Sequence, residues 1–157
     1  MEQSIIQAIT VEDNITKISI MEVPDKPGIA FGLFRMLSEA DIKIESIVQN
    51  VNRININDIT FTVNNDDADK AEEIALKFAN EFGSGEVISD SDVARLSVIG
   101  AAVVANTDVV TKFFKALYQI GVNIQMISTS DAKISCVIDK NKAKEALKEV
   151  YKEFGTV

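Results

Sequence analysis

The chain has 157 residues, of which 46% are apolar and 25% charged, and its formal net charge is −8. These values are typical of a folded globular protein, and a negative surface repels phosphate groups, so we expect no nucleic-acid or membrane partner. The sequence has no histidine and one cysteine, Cys136. These absences exclude a serine-hydrolase triad, an internal disulfide and most zinc sites, so we expect no catalytic residues and no metal. Since no secretory leader begins at Met1, we expect a cytoplasmic protein.

Three motifs in the N-terminal half of the chain recur in the same order in the C-terminal half. The pairs are Ile18–Ile20 and Leu96–Val98, Phe34–Leu37 and Phe114–Leu117, and Ile42–Ile47 and Val122–Ile127. The last two pairs recur at an offset of 80 residues and the first at 78. A repeat of this length indicates a duplicated module.

The first module predicts a strand, a helix, two strands, a helix and a strand. In chain order they are Thr16–Glu22, a helix from the Asp25–Gly28 turn to Ala40, Ile42–Val51, Ile56–Val63, Ala68–Phe82 and Glu86–Ser89. Pro27 suits the first turn of the first helix, where an N–H group is not needed. This order predicts an α+β, ferredoxin-like fold, with two helices on one face of an antiparallel sheet.

The second module repeats this order but lacks the last strand before Val157. Its predicted elements are Arg95–Gly100, Asp108–Ile120, Val122–Thr129, Ala132–Ile138 and Lys142–Phe154. An unassigned strand-like segment, Ser4–Thr10, lies at the other end of the chain. Because an open sheet edge invites pairing, we expect this segment to supply the missing strand. The domains are then residues 14–90, and residues 91–157 with the N-terminal strand 4–12.

The turn Asp25-Lys26-Pro27-Gly28 is a candidate binding site for a free amino acid. A helix N-terminus offers unpaired N–H groups to a carboxylate, and Gly28 leaves room for close approach. Asp25 can accept a hydrogen bond from an ammonium group. Alternatively, this is an ordinary loop in which Asp25 caps the helix and Pro27 stiffens the turn.

Other polar residues have a binding and a structural interpretation. Gln49 and Asn50 lie within a strand pattern, where amides are disfavoured, so they either bind a ligand or form an exposed or inter-subunit polar face. Thr111 and Asn123 either bind a ligand or cap and solvate the fold. Turn chemistry alone explains Ser128–Asp131. Cys136 alternates with apolar strand residues, which predicts a core position.

Four segments carry a resemblance to a known family. They are Val23–Ala30, Ile47–Val51, Asp58–Val63 and Asn123–Ser130, the last followed by Lys133-Ile134-Ser135. With them the chain, from about Ile6 to Phe154, resembles the regulatory region of aspartate kinases, a tandem pair of ACT domains that some bacteria also make as a separate β subunit. In that family an N-terminal strand completes the second ACT domain.

The resemblance implies an allosteric sensor of lysine, threonine or both, which are end products made from aspartate. It implies a homodimer through ACT domains, and a kinase domain or catalytic subunit as partner. Effectors bind between ACT domains of neighbouring chains. The implied effector-binding residues are Asp25, Lys26, Pro27, Gly28, Ile29, Ala30, Lys43, Ile44, Glu45 and Gln49 in the first module, and Val110, Thr111, Asn123, Ile124, Ser130 and Asp131 in the second.

The chain departs from the family in three respects. The turn Asn52–Asn55 is shorter than the glycine-containing turn of many relatives. The second module reads Ala105–Val109 where relatives often have a Pro-Gly pair, so close approach of a ligand to that helix is not expected. No kinase domain lies in this sequence, so ATP and magnesium would belong to the missing domain, and the chain alone should phosphorylate nothing. The alternative function is an ACT pair that dimerises or regulates another enzyme of amino-acid metabolism.

Overall fold

A computed structural model describes residues 6–53 and 55–155. In chain order the strands and helices are β1 (Ala8–Pro24), α1 (Ile29–Glu39), β2 (Ser46–Arg53), β3 (Ile56–Asn64), α2 (Ala68–Phe82), β4 (Val87–Ile99), α3 (Thr107–Gln119), β5 (Met126–Ser130), β6 (Lys133–Asp139) and α4 (Ala143–Glu153). The predicted α+β class, with helices and antiparallel strands in ferredoxin-like order, is confirmed.

The chain divides into two compact units. The first unit is Asn14–Ser91, and the second joins the N-terminal residues up to Asp13 with the residues from Asp92 onward. Strands β1 and β4 are long and contribute residues to both units. The sequence predicts two separate strands in each of these places, and that prediction is wrong. Polar stretches such as Glu12–Asn14 and Ser89–Asp92 resemble turns in sequence, but each of them continues a strand.

In the first unit the strand order is β2-β3-β1-β4. Alternate residues of β1 and β3 face the helices, among them Ile18, Ile20 and Phe61, and they form one core with Leu33 of α1 and Phe78 of α2. A bulge in β1 after Ile20 changes the register with β3. Because of the bulge, both Ile20 and Val23 face the core. The last residues of β1 then lead to the start of α1.

In the second unit the strand order is β1-β4-β6-β5. The buried side chain of Ile9, from the N-terminal part of β1, lies in a core with Leu96, Phe113 and Val150. The backbone N–H of Gln7 donates to the carbonyl of Ile99 at 2.7 Å, and the Tyr151 hydroxyl donates to the carbonyl of Ile9 at 3.2 Å. Residues 6–13 therefore belong to the sheet and core of this unit, while Ser4 and Ile5 lie outside the described residues.

Strands β2 and β5 begin about four residues later than the sequence predicts. The alternation in Ile42–Ile44 and Val122–Ile124 comes from packing beneath a helix end. Ladder hydrogen bonds begin only at the next residue, where Glu45 donates to the carbonyl of Thr62 and Gln125 to that of Val137. Ile42 donates to the carbonyl of Leu37, and Val122 donates to that of Leu117. The residue before each, Asp41 or Gly121, has a φ of 57° or 68°, so both copies leave the helix through the same left-handed turn.

Candidate functional site

The start of α1 leaves backbone N–H groups available. Gly28 has a φ of 90°, which glycine adopts at little cost, so the helix begins after it and Pro27 precedes the helix instead of lying in its first turn. No side chain of the described residues caps α1, and its first turn holds no acidic residue. Within the part of the chain that the structure describes, no hydrogen bond involves the N–H of Ala30 or Phe31. This helix start is therefore suited to a carboxylate.

A cavity of about 270 Å³ lies between α1 and strands β2 and β3, next to this helix start. Its lining residues are Ala30, Leu33, Phe34, Ile47, Gln49 and Ile59. Gln49 lies directly across from Ile59 in the β2–β3 ladder, and its amide is the one polar side chain among the described lining residues. A small ligand with an apolar portion fits the volume and the chemistry of this cavity.

Asp25 lies at the point where β1 ends, beside the β2–β3 turn. Its backbone N–H donates to the carbonyl of Asn55 at 2.8 Å, which fixes the turn without using the carboxylate. Asp25 through Gly28 are exposed, and Ile29 is buried. Among the described residues, no ion pair or hydrogen bond involves the Asp25 carboxylate, so Asp25 does not cap α1 as the structural interpretation required.

The structure does not bring Lys43, Ile44 and Glu45 to this helix start. Lys43 and Ile44 line a separate hollow at the C-terminal end of α1, and Lys43 Nζ lies 4.0 Å from Glu45 Oε1. A helix of 11 residues is about 16 Å long, so within one chain these residues are too far from Asp25 to contact one small ligand.

The corresponding helix start in the second unit is closed by a side chain. Asn106 Oδ1 accepts hydrogen bonds from the N–H groups of Asp108 and Val109, at 3.0 and 3.2 Å, and the Asn106 carbonyl accepts from Val110. The first turn of α3 therefore has few N–H groups left for a carboxylate. The missing Pro-Gly pair marks this difference in the sequence, but its physical cause is the Asn106 cap.

The second-unit candidates do not meet at one place. The Thr111 hydroxyl donates to the carbonyl of Thr107 at 2.7 Å, and Val110 packs against the core. Ser130 and Asp131 line a hollow beside the loop before α3. Asn123 and Ile124 lie at the opposite end of α3, in the segment that leads to β5.

One buried polar residue of the first unit was missed by the sequence reasoning. Asn57 is only 3% exposed, and its Oδ1 atom has no hydrogen-bond partner among the described residues. Asn57 occupies the same alternation as Ile59, Phe61 and Val63, which face the core. The signal that reveals it is therefore an amide at an apolar position of a strand.

The described residues hold neither a cluster suited to a metal ion nor an ionised thiol. No group of three or more acidic or cysteine side chains that could hold a metal occurs within residues 6–53 and 55–155. Burial raises the pKa of the Cys136 thiol to about 12, so it is neither a nucleophile nor a ligand at neutral pH. No helix in this part of the chain is long and apolar enough to cross a bilayer.

Comparison with known proteins matches both halves of the chain to one domain type. Residues 16–80 and residues 96–154 each match an ACT domain family. The regulatory subunit of aspartate kinase from Thermus thermophilus, solved in a ligand-free form, is 32% identical; the match covers 95% of this chain and 98% of that one, with a TM-score of 0.90. A structure of aspartokinase alpha and beta subunits is 31% identical, covering 96% and 99%, with a TM-score of 0.87.

The chain belongs to the aspartate kinase regulatory family. Curated aspartate kinases match it as well, including that of Pseudomonas fluorescens strain SBW25, which is 39% identical over 98% of this chain. The chain spans 37% of the length of that relative. Its membership in the aspartate kinase regulatory family assigns the two units as regulatory ACT domains.

Proposed function

We propose that this chain is the amino-acid sensor of an aspartate kinase, and that it binds free lysine, threonine or both at the start of α1. The observation that supports this most directly is the uncapped helix start beside the Asp25 carboxylate, which has no partner within residues 6–53 and 55–155. The helix N–H groups bind the effector carboxylate, and Asp25 accepts from its ammonium group. Both charges of a free amino acid then meet opposite partial or full charges.

The cavity beside Gln49 receives the side chain of the effector in this proposal. Among the residues that the structure describes, no carboxylate lines it. Burying the ammonium group of a lysine side chain without a partner is costly, whereas a hydroxyl can hydrogen-bond to the Gln49 amide. A short, uncharged side chain such as that of threonine is therefore favoured here within one chain. Lysine would need an acidic group from a neighbouring chain.

We propose that a second copy of the chain covers this site. Four apolar side chains around the cavity are exposed, namely Phe31, Phe34, Ile47 and Val51, by 70%, 40%, 41% and 77%. Neighbouring exposed apolar side chains are typical of interaction surfaces. Closure by a second copy would bring residues of that copy's second unit to the Asp25–Gly28 turn. Residues Lys43–Glu45 of the same chain lie too far from this turn to contact the same small ligand.

Effector binding then controls a kinase domain or a separate catalytic subunit in the cytoplasm. A ligand that binds one conformation or assembly better than another shifts the population toward it, and the kinase responds to that shift. The alternative is an ACT pair that only dimerises or serves another enzyme of amino-acid metabolism. Co-purification with a kinase-only chain of the aspartate kinase family separates these alternatives.

A thermal-shift panel of twenty amino acids tests the sensor function. An effector at a hundred times its dissociation constant stabilises the folded chain by about 2.7 kcal/mol. The Asp25→Ala variant should lose this response, while Asp66→Ala, at an exposed position of the same unit, should keep it. A folded wild-type chain that responds to no amino acid would argue for the dimerisation alternative.

A further inference from the structure

We infer that Asn57 is a further ligand-binding residue of the first unit, and that its Oδ1 atom accepts a hydrogen bond from the α-ammonium group of the bound amino acid. This inference rests on the proposed sensor function. The starting observation is that Asn57 is 3% exposed while its Oδ1 atom has no partner within the described residues. A buried acceptor without a donor costs free energy, so its retention needs a compensating role.

The strand register places Asn57 beside the turn that carries Asp25. Asn57 pairs with Val23 of β1 and with Val51 of β2, and the next bond along the chain joins the Asp25 N–H to Asn55. Asp25 is therefore two residues beyond the β1 partner of Asn57.

Asn57 also lies on the face of the sheet that lines the cavity beneath α1. Asn57 alternates with Ile59, which lines the cavity beneath α1, and Ile59 is the ladder partner of Gln49. The Asn57 side chain thus points to the helix side of the sheet, one position nearer the turn than the cavity lining. A ligand whose side chain enters the cavity and whose carboxylate meets the α1 start would hold its ammonium group between Asp25 and Asn57.

Because the Oδ1 atom of Asn57 is buried, a ligand can bind to it only after a conformational change. The atom is inaccessible to solvent as it stands, and the Asp25–Gly28 turn beside it is exposed. A ligand therefore reaches Oδ1 only after a neighbouring segment shifts, and the exposed turn is the segment that we infer to move. A hydrogen bond from the ligand to Asn57 Oδ1 would then favour the shifted conformation of the turn over the one described here. Ligand binding would thereby be linked to a conformational change.

The test combines a protein variant with a change in the ligand. L-Threonine and L-lysine are compared by calorimetry with 3-hydroxybutanoic acid and 6-aminohexanoic acid, which lack the α-amino group. The wild-type chain is compared with Asn57→Val, which suits the strand and the apolar alternation. The matched control is Asn50→Val, which replaces an exposed amide on β2 that pairs with Asp58.

We expect Asn57→Val to melt at a higher temperature in the absence of amino acid, and to bind the effector about tenfold to a hundredfold more weakly, the range for a hydrogen bond to a charged group. It should also discriminate less between the effector and its analogue without the amino group. The Asn50→Val variant should bind as the wild type does. If Asn57→Val does not fold, the same ratio is measured with Asn57→Ser.

Three possible results distinguish the role of Asn57 from the sensor function on which it rests. Wild-type affinity in the Asn57 variant, or an unchanged ratio between amino acid and analogue, would overturn the role of Asn57 and leave the sensor function intact. Weaker binding together with reduced discrimination would support it. A wild-type chain that binds neither amino acid would overturn the sensor function, and the role of Asn57 with it.

Discussion

Arg95 Nη1 lies 2.7 Å from Glu12 Oε2, joining β4 to the N-terminal part of β1 within the second unit. The Arg95 side chain is 1% exposed and that of Glu12 is 45% exposed. Removing the carboxylate leaves a buried guanidinium with less compensation, so Glu12→Ala should lower the free energy of unfolding by about 1–2 kcal/mol after allowance for solvent screening. Urea denaturation measures the change.

The control for this prediction is an exposed ion pair. Arg35 and Glu39 lie one helical turn apart on α1, with their side chains 50% and 67% exposed. Glu39→Ala should cost less than about 0.5 kcal/mol. Equal losses for the Glu12 and Glu39 variants would show that the buried pair does not hold the N-terminal strand.

Deletion of residues 1–12 should destabilise the second unit far more than the first. It removes Ile9 from the core and the hydrogen bond from Tyr151 to the Ile9 carbonyl, and it uncovers the edge of β4. Hydrogen exchange should show loss of protection in residues 92–155 and retained protection in residues 16–80. The same protection in both units after the deletion would contradict this assignment of the strand.

Asn106→Ala should lower stability by about 1 kcal/mol, the usual cost of losing an N-cap side chain. Its Oδ1 accepts from Asp108 and Val109, and alanine leaves both N–H groups without that acceptor. Asn106→Asp keeps the acceptor and should restore most of the loss. A denaturation midpoint in the alanine variant equal to that of the wild type would show that α3 does not depend on this cap.

The Cys136 thiol should be unreactive in the folded chain. Its pKa is raised from 9.0 to about 12 by burial, so at pH 8 the thiol is neutral and enclosed. A thiol reagent should label the chain only after denaturation. The stability contributed by the neutral thiol is full below pH 9 and is lost as pH rises towards 12, because the unfolded thiol ionises first. Rapid labelling of the native chain at pH 8 would contradict this burial.

The repeated motifs predict the fold well because packing follows apolar periodicity. Leu33 and Phe113 both lie in cores, at the helical positions that the pattern assigns to them. Strand limits are predicted less well. Ile42 and Ile44 alternate as strand residues do, yet they pack beneath the end of α1, because burial and ladder pairing leave the same pattern in a sequence.

Some features of the candidate site can be predicted from the sequence and others cannot. The Asp25–Gly28 turn is visible in the sequence because glycine and proline mark backbone geometry directly. The alternation of β3 indicates that Asn57 is buried. The cap on α3, however, depends on which way the Asn106 side chain turns, and the lack of a donor to Asn57 Oδ1 among the described residues depends on neighbours from other strands. Both are properties of tertiary structure, so local sequence does not reveal them.

The proposed receptor is tested most directly by the backbone amide resonances of the chain, labelled with nitrogen-15 and titrated with threonine and with lysine. Binding at the start of α1 predicts saturable shifts of the Ala30 and Phe31 amides, with little change at Asp108 and Val109, whose N–H groups donate to Asn106. Shifts confined to the α3 amides, or none at millimolar amino acid, would contradict the account.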